Sequence, residues 1–208
     1  MKKSVFFILA SLPFLIYAQS PMHPVLKNYF RTHPFDIRFS SFIISLQQDP
    51  GYTVSELKRR TDSTFFFLSG TYINFNPFGY KAKEVRLIVA EQEFIHADSL
   101  QTLDTIINIQ LLGITDTSIS NLSITEKEYN RFFRKYASGF WKNTYAKSQL
   151  GNKVAGEASN LFIYPFSISP VTVAWGRMPI TKEFTFTITI RCKVKQNTAD
   201  LILTPDGL

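Results

Sequence analysis

Hydrophobic and polar residues alternate one for one near the end of the chain, between residues 182 and 195. The apolar positions of this segment are Phe184, Phe186, Ile188, Ile190, Cys192 and Val194. A period of two residues places the apolar side chains on one face of a β-strand and the polar ones on the other. The pattern predicts a strand over 183–195 with one buried face, and it places Cys192 in the core rather than at a reactive site.

Two other segments show the spacing of helices. The first carries apolar residues at i, i+3, i+4 and i+7, namely Phe39, Phe42, Ile43 and Leu46, and a stop signal follows at 49–51. The second, 124–138, carries the aromatic residues Tyr129, Phe132, Phe133 and Tyr136, and Phe140 continues this stripe just beyond its end. Ser123 and Glu126 have capping-box spacing, which predicts the start of the second helix. The same spacing at Thr53 and Glu56 predicts a short helix through Arg60.

The remaining periodic segments favour strands. Segments 64–76 and 83–95 are rich in aromatic and β-branched residues and predict a hairpin, with a type I turn at 76–79. A third strand is predicted at 104–115, and shorter ones at 161–168, 171–175 and 200–203. Residues 141–156 are polar enough to predict a partial loop.

Strands grouped in runs, rather than alternating with helices, indicate an α+β fold. The sequence therefore predicts one domain over 36–208. Its fold class is α+β, with a curved, mainly antiparallel sheet packed on one long amphipathic helix and short N-terminal helices. Residues 19–35 contain three prolines and predict an extended N-terminal arm with one helical turn at 25–30.

Residues 1–18 have the pattern of a secretory signal peptide: two lysines, an apolar run and a small-residue exit. We expect cleavage between Ala18 and Gln19, and a secreted or periplasmic protein with no transmembrane segment after signal removal. The alternative is an uncleaved anchor helix, but Pro13 interrupts the apolar run. Cleavage removes two lysines and no acid, so the formal net charge of +7 falls by two.

The sequence offers little catalytic chemistry. One cysteine cannot form an internal disulfide, so we expect packing alone to stabilise the fold. His23, His33 and His96 lack the spacing of metal ligands, and neither a nucleophile elbow nor a phosphate-binding glycine loop is present. No catalytic residue, metal or cofactor is predicted. The sequence does not decide whether the protein is an enzyme, although it favours a protein without catalytic activity. A hydrolase with two unidentified acids stays an alternative.

Three cations on the water-facing side of the strand at 183–195, Arg191, Lys193 and Lys195, lie at i, i+2 and i+4. A row of like charge attracts an anionic glycan, a lipid head group or an acidic protein surface. The alternative is that these cations only maintain solubility and discourage edge pairing. Nucleic acid is not expected as a partner, because no aromatic stacking platform can be placed beside the charges.

Aromatic residues give a further candidate site. Tyr72, Tyr164 and Trp175 are predicted to line a pocket between sheet and helix, although the same spacing is typical of core residues. The first functional hypothesis is an exported protein of the envelope or the extracellular space that binds a partner without catalysis. The alternatives are a carrier of a small ligand and the hydrolase.

Overall fold

The computed structural model describes residues 21–32, 34, 38–61, 65–95, 103–163, 170–194 and 203–204, with backbone only at 93–95, 103–105, 193–194 and 203–204. The helices are α1 (Met22–Tyr29), α2 (Phe39–Gln48) and α3 (Ser120–Tyr136), and a 3₁₀ turn, Ala137–Gly139, extends α3. The strands are β1 (Tyr52–Lys58), β2 (Phe67–Tyr72), β3 (Glu84–Ile95), β4 (Leu103–Ile114), β5 (Trp141–Leu150), β6 (Lys153–Phe162), β7 (Val171–Arg177), β8 (Phe184–Val194) and β9 (Leu203–Thr204). These elements form an α+β fold with an antiparallel sheet, as the sequence predicted.

The described strands form one antiparallel sheet in the order β1-β2-β3-β4-β8-β7-β6-β5, and β9 pairs with the end of β8. Each half of the chain contributes a four-strand meander, and helix α3 connects the two. The meanders meet where β4 pairs with β8. The alternating strand of the sequence is therefore a central strand of the sheet.

The predicted burial of β8 is confirmed from Phe184 to Cys192, whereas the side chain of Val194 lies outside the described part of the structure. Phe186, Ile188, Ile190 and Cys192 are fully buried, and Phe184 is nearly so. Burial raises the pKa of the Cys192 thiol, so this group stays protonated near neutral pH. Cys192 is thus part of the core, as expected from its position on the apolar face.

The helices cover one face of the sheet. The ring of Phe186 lies 6.2 Å from that of Phe132 on α3 and 6.4 Å from that of Tyr29 on α1, measured between centroids. Trp175 on β7 lies 6.4 Å from Tyr129. We call the opposite side of the sheet the open face, because no described helix packs there. It carries Gln110, Thr187, Thr189 and Arg191 and their register partners.

The two N-terminal helices pack by their apolar stripes. Helix α2 buries the four residues predicted from their spacing. Residues 22–29 of the predicted extended arm instead fold into the eight-residue helix α1, and residues 19, 20, 33 and 35 of the arm lie outside the described residues. Met22, Val25, Leu26 and Tyr29 share one side of it and are buried in the core. This burial outweighs the tendency of the prolines towards extended backbone, and Pro21 sits at the N-cap, where its missing N–H has no cost.

The prediction of a helix from Thr53 to Arg60 is wrong, because residues 52–58 form strand β1. The ring of Tyr52 packs against that of Tyr72 of β2 at an interplanar angle of 56°, and the Tyr52 hydroxyl donates to the carbonyl of Leu87 at 3.1 Å. Glu56 pairs with Lys58 at 2.8 Å instead of capping a helix. The register shifts between Val54 and Glu56, so a bulge breaks the period of two that would have revealed the strand.

The predicted hairpin of β2 and β3 forms, but its connection is longer than the short turn expected at 76–79. Strand β2 ends at Tyr72, and residues 73–83 connect it to β3. Phe78 in this connection is buried, with its ring 5.9 Å from that of Phe186. The loop is long because it carries an aromatic side chain back to the core.

Two more expectations are corrected near α3. The helix begins at Ser120, and the hydroxyl of Ser123 donates to the carbonyl of Ser120, so Ser123 lies inside the helix and is not its cap. Residues 141–156 are not partly loop, because they form β5, a turn with Gly151 at φ +60°, and the start of β6. Their polar composition reflects an edge strand that is exposed on both faces. Of the strand predicted at 161–168, residues 161–162 belong to β6, which ends at Phe162, and residues 164–168 lie outside the described residues.

Candidate functional site

The open face carries a row of uncharged polar side chains across five neighbouring strands. The register places Gln110, Thr189, Thr172, Asn160 and Asn143 directly opposite one another on β4, β8, β7, β6 and β5. Opposite residues of an antiparallel pair point to the same face. Strands lie about 4.8 Å apart, so the row extends roughly 19 Å. Only the sheet register brings these distant positions of the chain together.

Part of the row is available to a ligand. Thr172 is 7% exposed, and its hydroxyl donates to Oδ1 of Asn160 at 2.8 Å. Gln110, Thr189 and Asn143 form no side-chain hydrogen bond with any described residue, and they are half-buried or exposed. The amide and hydroxyl groups of these three residues thus have hydrogen-bonding capacity that the described part of the chain does not use.

An aromatic pair borders the row. Trp141 is opposite Phe162 in the register, and their ring centroids lie 5.2 Å apart. Trp141 is two residues before Asn143 on β5, so the two share a face about 7 Å apart. Trp141 is 64% exposed, which leaves its ring open to solvent. An exposed ring beside unpaired amides and hydroxyls combines an apolar platform with hydrogen-bonding groups.

The predicted cation row is only partly described. Arg191 lies on the open face opposite Asn108, is half-buried, and forms no ion pair with a described residue. The backbone of Lys193 continues β8 opposite Ile106, whereas Lys195 lies outside the described residues. Arg191 is two residues from Thr189 on the same face. Of the three predicted cations, Arg191 is thus the one whose described side chain lies beside the polar row.

The opposite side of the β5–β6 hairpin is fixed to α3 by a polar cluster around Glu157. Glu157 Oε1 accepts hydrogen bonds from Tyr129 Oη at 2.6 Å, Thr144 Oγ1 at 2.8 Å and Lys142 Nζ at 2.9 Å. The hydroxyl of Ser159, which is fully buried, lies 2.6 Å from Tyr129 Oη and 2.9 Å from Thr144 Oγ1. We call these five residues the Glu157 cluster. Every member lies on α3, β5 or β6, so the cluster fixes the last two strands of the sheet to the helix.

The Glu157 cluster is poorly suited to acid–base catalysis. Burial alone would raise the pKa of Glu157, but hydrogen bonds from Tyr129, Lys142 and Thr144 outweigh it and lower the pKa to about 2. Burial and the hydrogen bond to Glu157 raise the pKa of Tyr129. A general acid or base works best with a pKa near the operating pH. The pKa values of both groups are shifted away from neutral pH, so the cluster is suited to stabilising the contact between α3 and the β5–β6 hairpin.

Two other buried carboxylates are also occupied. Glu128 on α3 accepts from Arg131 at 2.6 and 2.8 Å, from Tyr29 Oη at 3.2 Å and from the amide of Gly79 at 3.0 Å. Glu91 on β3 is 6% exposed. Its Oε2 accepts from the amide that precedes β2, and Arg60 lies 3.2 Å from Oε1 without hydrogen-bond geometry. The described residues contain no group of three ligands that could hold a metal ion.

Tyr72 and Trp175, two of the three aromatic residues predicted to line a pocket, are not brought together. Tyr72 lies on β2 against Tyr52, and Trp175 lies on β7 against Tyr129, with both rings buried. Three strands separate β2 from β7, which corresponds to about 19 Å across the sheet. Tyr164 lies outside the described residues. Tyr72 and Trp175 thus occupy two separate parts of the core.

A cleft of about 620 Å³ opens elsewhere, between the first turns of α3 and the turn of the β5–β6 hairpin. Its apolar lining consists of Ile119, Leu122, Leu150 and Val154, and its polar rim includes Glu126 and Lys153. Its volume is in the range of small-molecule sites. The sequence did not reveal this cleft, because residues 150–154 were expected to lie in a partial loop.

The comparisons with known proteins give no functional lead. Protein-family models, curated proteins and solved structures were compared with the chain, and none matches significantly. Among the described helices, none has the length and apolar character needed to cross a membrane.

Proposed function

We propose that this chain is an exported, non-catalytic binding protein, and that the open face binds an anionic glycan. The observation that carries the proposal is the polar row with Trp141 at one end and Arg191 beside it. Sugar hydroxyls are recognised by amide and hydroxyl side chains, and the apolar side of a sugar ring packs on an aromatic ring. Arg191 supplies a donor fork that matches a carboxylate or sulfate group.

The uncharged row distinguishes this ligand from the other two anionic partners. A lipid head group or an acidic protein surface would use cations, but it would make little use of five aligned amides and hydroxyls. We further propose that the sheet is curved, because strands β3 and β4 have twelve residues each and long strands twist. In this proposal α3 is the long amphipathic helix on which the sheet packs.

Binding is tested by titrating the protein with a polyuronate oligosaccharide and with its carboxyl-reduced, neutral form in a calorimeter. We expect Trp141→Ala to weaken binding of both forms roughly tenfold, which is typical of an aromatic anchor. Arg191→Gln should weaken binding of the acidic form only, and it should reduce the salt dependence. Arg134→Gln is the matched control, because Arg134 is exposed on α3, away from the open face.

Three results would count against the glycan proposal. If neither oligosaccharide binds, or if both arginine variants lose the same affinity, the open face is not the site. If anionic vesicles bind and both oligosaccharides do not, the partner is a lipid head group instead. Export has its own test, which is sequencing of the mature N-terminus from the secreted or periplasmic fraction. We expect it to begin at Gln19, and a chain that keeps residues 1–18 would contradict the proposed cleavage.

The cleft beside α3 favours a second candidate function, the small-ligand carrier. Its four apolar residues and its volume suit one aliphatic chain. The probe is a fluorescent long-chain fatty acid, and Val154→Asp should abolish its binding because a charge would enter the apolar lining. Ile180→Asp, at a residue that is 92% exposed in the β7–β8 connection, is the control. Equal binding of the fatty acid by the Val154→Asp and Ile180→Asp proteins would contradict the carrier function.

A further inference from the structure

Strand β5 forms one edge of the described sheet. It pairs with β6 on one side, and no described strand pairs with its other side. Nine of its ten residues are exposed, and Thr144 is half-buried. Half of the backbone N–H and C=O groups of an edge strand point away from the sheet, where they match the hydrogen-bonding groups of another extended chain.

This edge is held in place before any partner arrives. Lys142 and Thr144 of β5 both donate to Glu157, and Glu157 is bonded to Tyr129 of α3. Lys142 Nζ also lies 4.3 Å from the ring centroid of Phe133. An added strand therefore meets a backbone whose position is already fixed, which lowers the entropy that binding costs.

The two sides of β5 differ in chemistry. Lys142 and Lys147 are opposite Leu161 and Glu157, which places them on the side of α3. Trp141 lies on the open face. No acidic residue occurs in the ten residues of β5, and Lys147 forms no ion pair with a described residue. A neighbouring strand would meet cations on one side and an exposed aromatic ring on the other.

The opposite edge, β1, lacks these features. It has seven residues, and its single lysine, Lys58, is paired with Glu56 of the same strand. Bulges do not distinguish the two edges, since β1 has one between Val54 and Glu56 and β5 has two, between Thr144 and Ala146 and between Ser148 and Gln149. The shifts in β5 increase its local twist, which disfavours the pairing of flat, non-specific strands with this edge. The outer edge of β5 is nevertheless ten residues long, and no described residue pairs with it.

We propose that β5 binds, by strand addition, an extended segment of a partner protein in which acidic residues alternate with apolar ones. The acidic residues face α3, where they pair with Lys147, and the apolar residues lie on the open face near Trp141. Directly opposite residues of unlike charge stabilise an antiparallel pair. A second copy of the chain fits less well, since it would bring another chain of net positive charge and a second pair of lysines to the same edge.

The probe is a synthetic octapeptide that alternates Glu and Val, labelled with a fluorophore and titrated by anisotropy. We expect Lys147→Glu to weaken its binding roughly tenfold, because an attractive cross-strand pair becomes a repulsive one. Lys127→Glu is the matched control, since Lys127 is exposed on α3 and forms no ion pair with a described residue. Hydrogen exchange should show added protection confined to 141–150.

A second peptide, N-methylated at every other residue on its pairing edge, keeps the charges but cannot donate to the strand. Loss of binding with this peptide supports strand addition, whereas unchanged binding shows simple charge attraction and overturns the proposal. Equal affinities of the Lys147→Glu and Lys127→Glu proteins would also overturn it. Sedimentation of the free protein as a dimer with 141–150 protected would show that a second copy occupies the edge, which contradicts the proposal. Glycan titration of the same variants tests the open face separately, because neither lysine belongs to it.

Discussion

The Glu157 cluster makes a quantitative prediction about stability and pH. We replace Glu157 by Gln, which keeps the shape and one acceptor oxygen but removes the charge. Glu157 is 16% exposed in its side chain, and its pKa is about 2 against an ordinary value of 4.5. One unit of pKa corresponds to about 1.4 kcal/mol, so the ionised carboxylate contributes about 3 kcal/mol to the free energy of unfolding at neutral pH. The variant should lose an amount of this order.

The sign of the pH dependence follows from the direction of the shift. The folded-state pKa of Glu157 lies below the unfolded-state value. The contribution is therefore fully present above about pH 4.5, and it is lost as the pH falls towards about 2. We expect the stability difference between wild type and Glu157→Gln to be largest near pH 7, to shrink below about pH 4.5 and to vanish near pH 2.

The assay is urea unfolding followed by tryptophan fluorescence at several pH values between 2 and 7. Trp175 is a suitable reporter because it is buried and its ring centroid lies 6.4 Å from that of Tyr129. Glu126→Gln is the control, since Glu126 is exposed on α3 and has no described ion pair. NMR titration of the Glu157 carboxyl checks the pKa itself. A carboxyl that titrates at 4 or above, or a stability difference that does not change with pH, would refute the reasoning.

Three further predictions concern the core. Phe186→Ala should cost about 3–5 kcal/mol in urea unfolding, whereas Thr187→Ala on the open face should cost less than about 1 kcal/mol, and equal losses would contradict the face assignment. Gly70→Ala should cost about 1–3 kcal/mol, because its Cβ would lie 2.4 Å from the ring of Tyr52, and an unchanged melting temperature would show that this contact relaxes freely. Glu91→Ala should cost about 1–3 kcal/mol, since it leaves a half-buried backbone amide without an acceptor, and hydrogen exchange at that amide should accelerate.

Local periodicity was sufficient for the strand and helix faces that are regular. The alternation in β8 and the helical stripe of α2 each place their apolar residues as the structure does. Local periodicity gave wrong predictions where a bulge breaks the period of two, and where a strand has a polar composition typical of a loop. The bulge between Val54 and Glu56 hid β1, and the polar composition of β5 suggested a loop although the strand is an exposed edge.

The amino-acid sequence by itself determined the fold class and the buried side of the central strand, because both follow from the spacing of apolar residues along a few turns or a few pleats. Only the tertiary structure decided which residues form the candidate sites. Asn143, Asn160 and Thr189 share a row because the four strands β5 to β8 take one particular register, and Glu157 meets Tyr129 because β6 lies under α3. Register and packing depend on contacts between distant parts of the chain, and no local pattern records them.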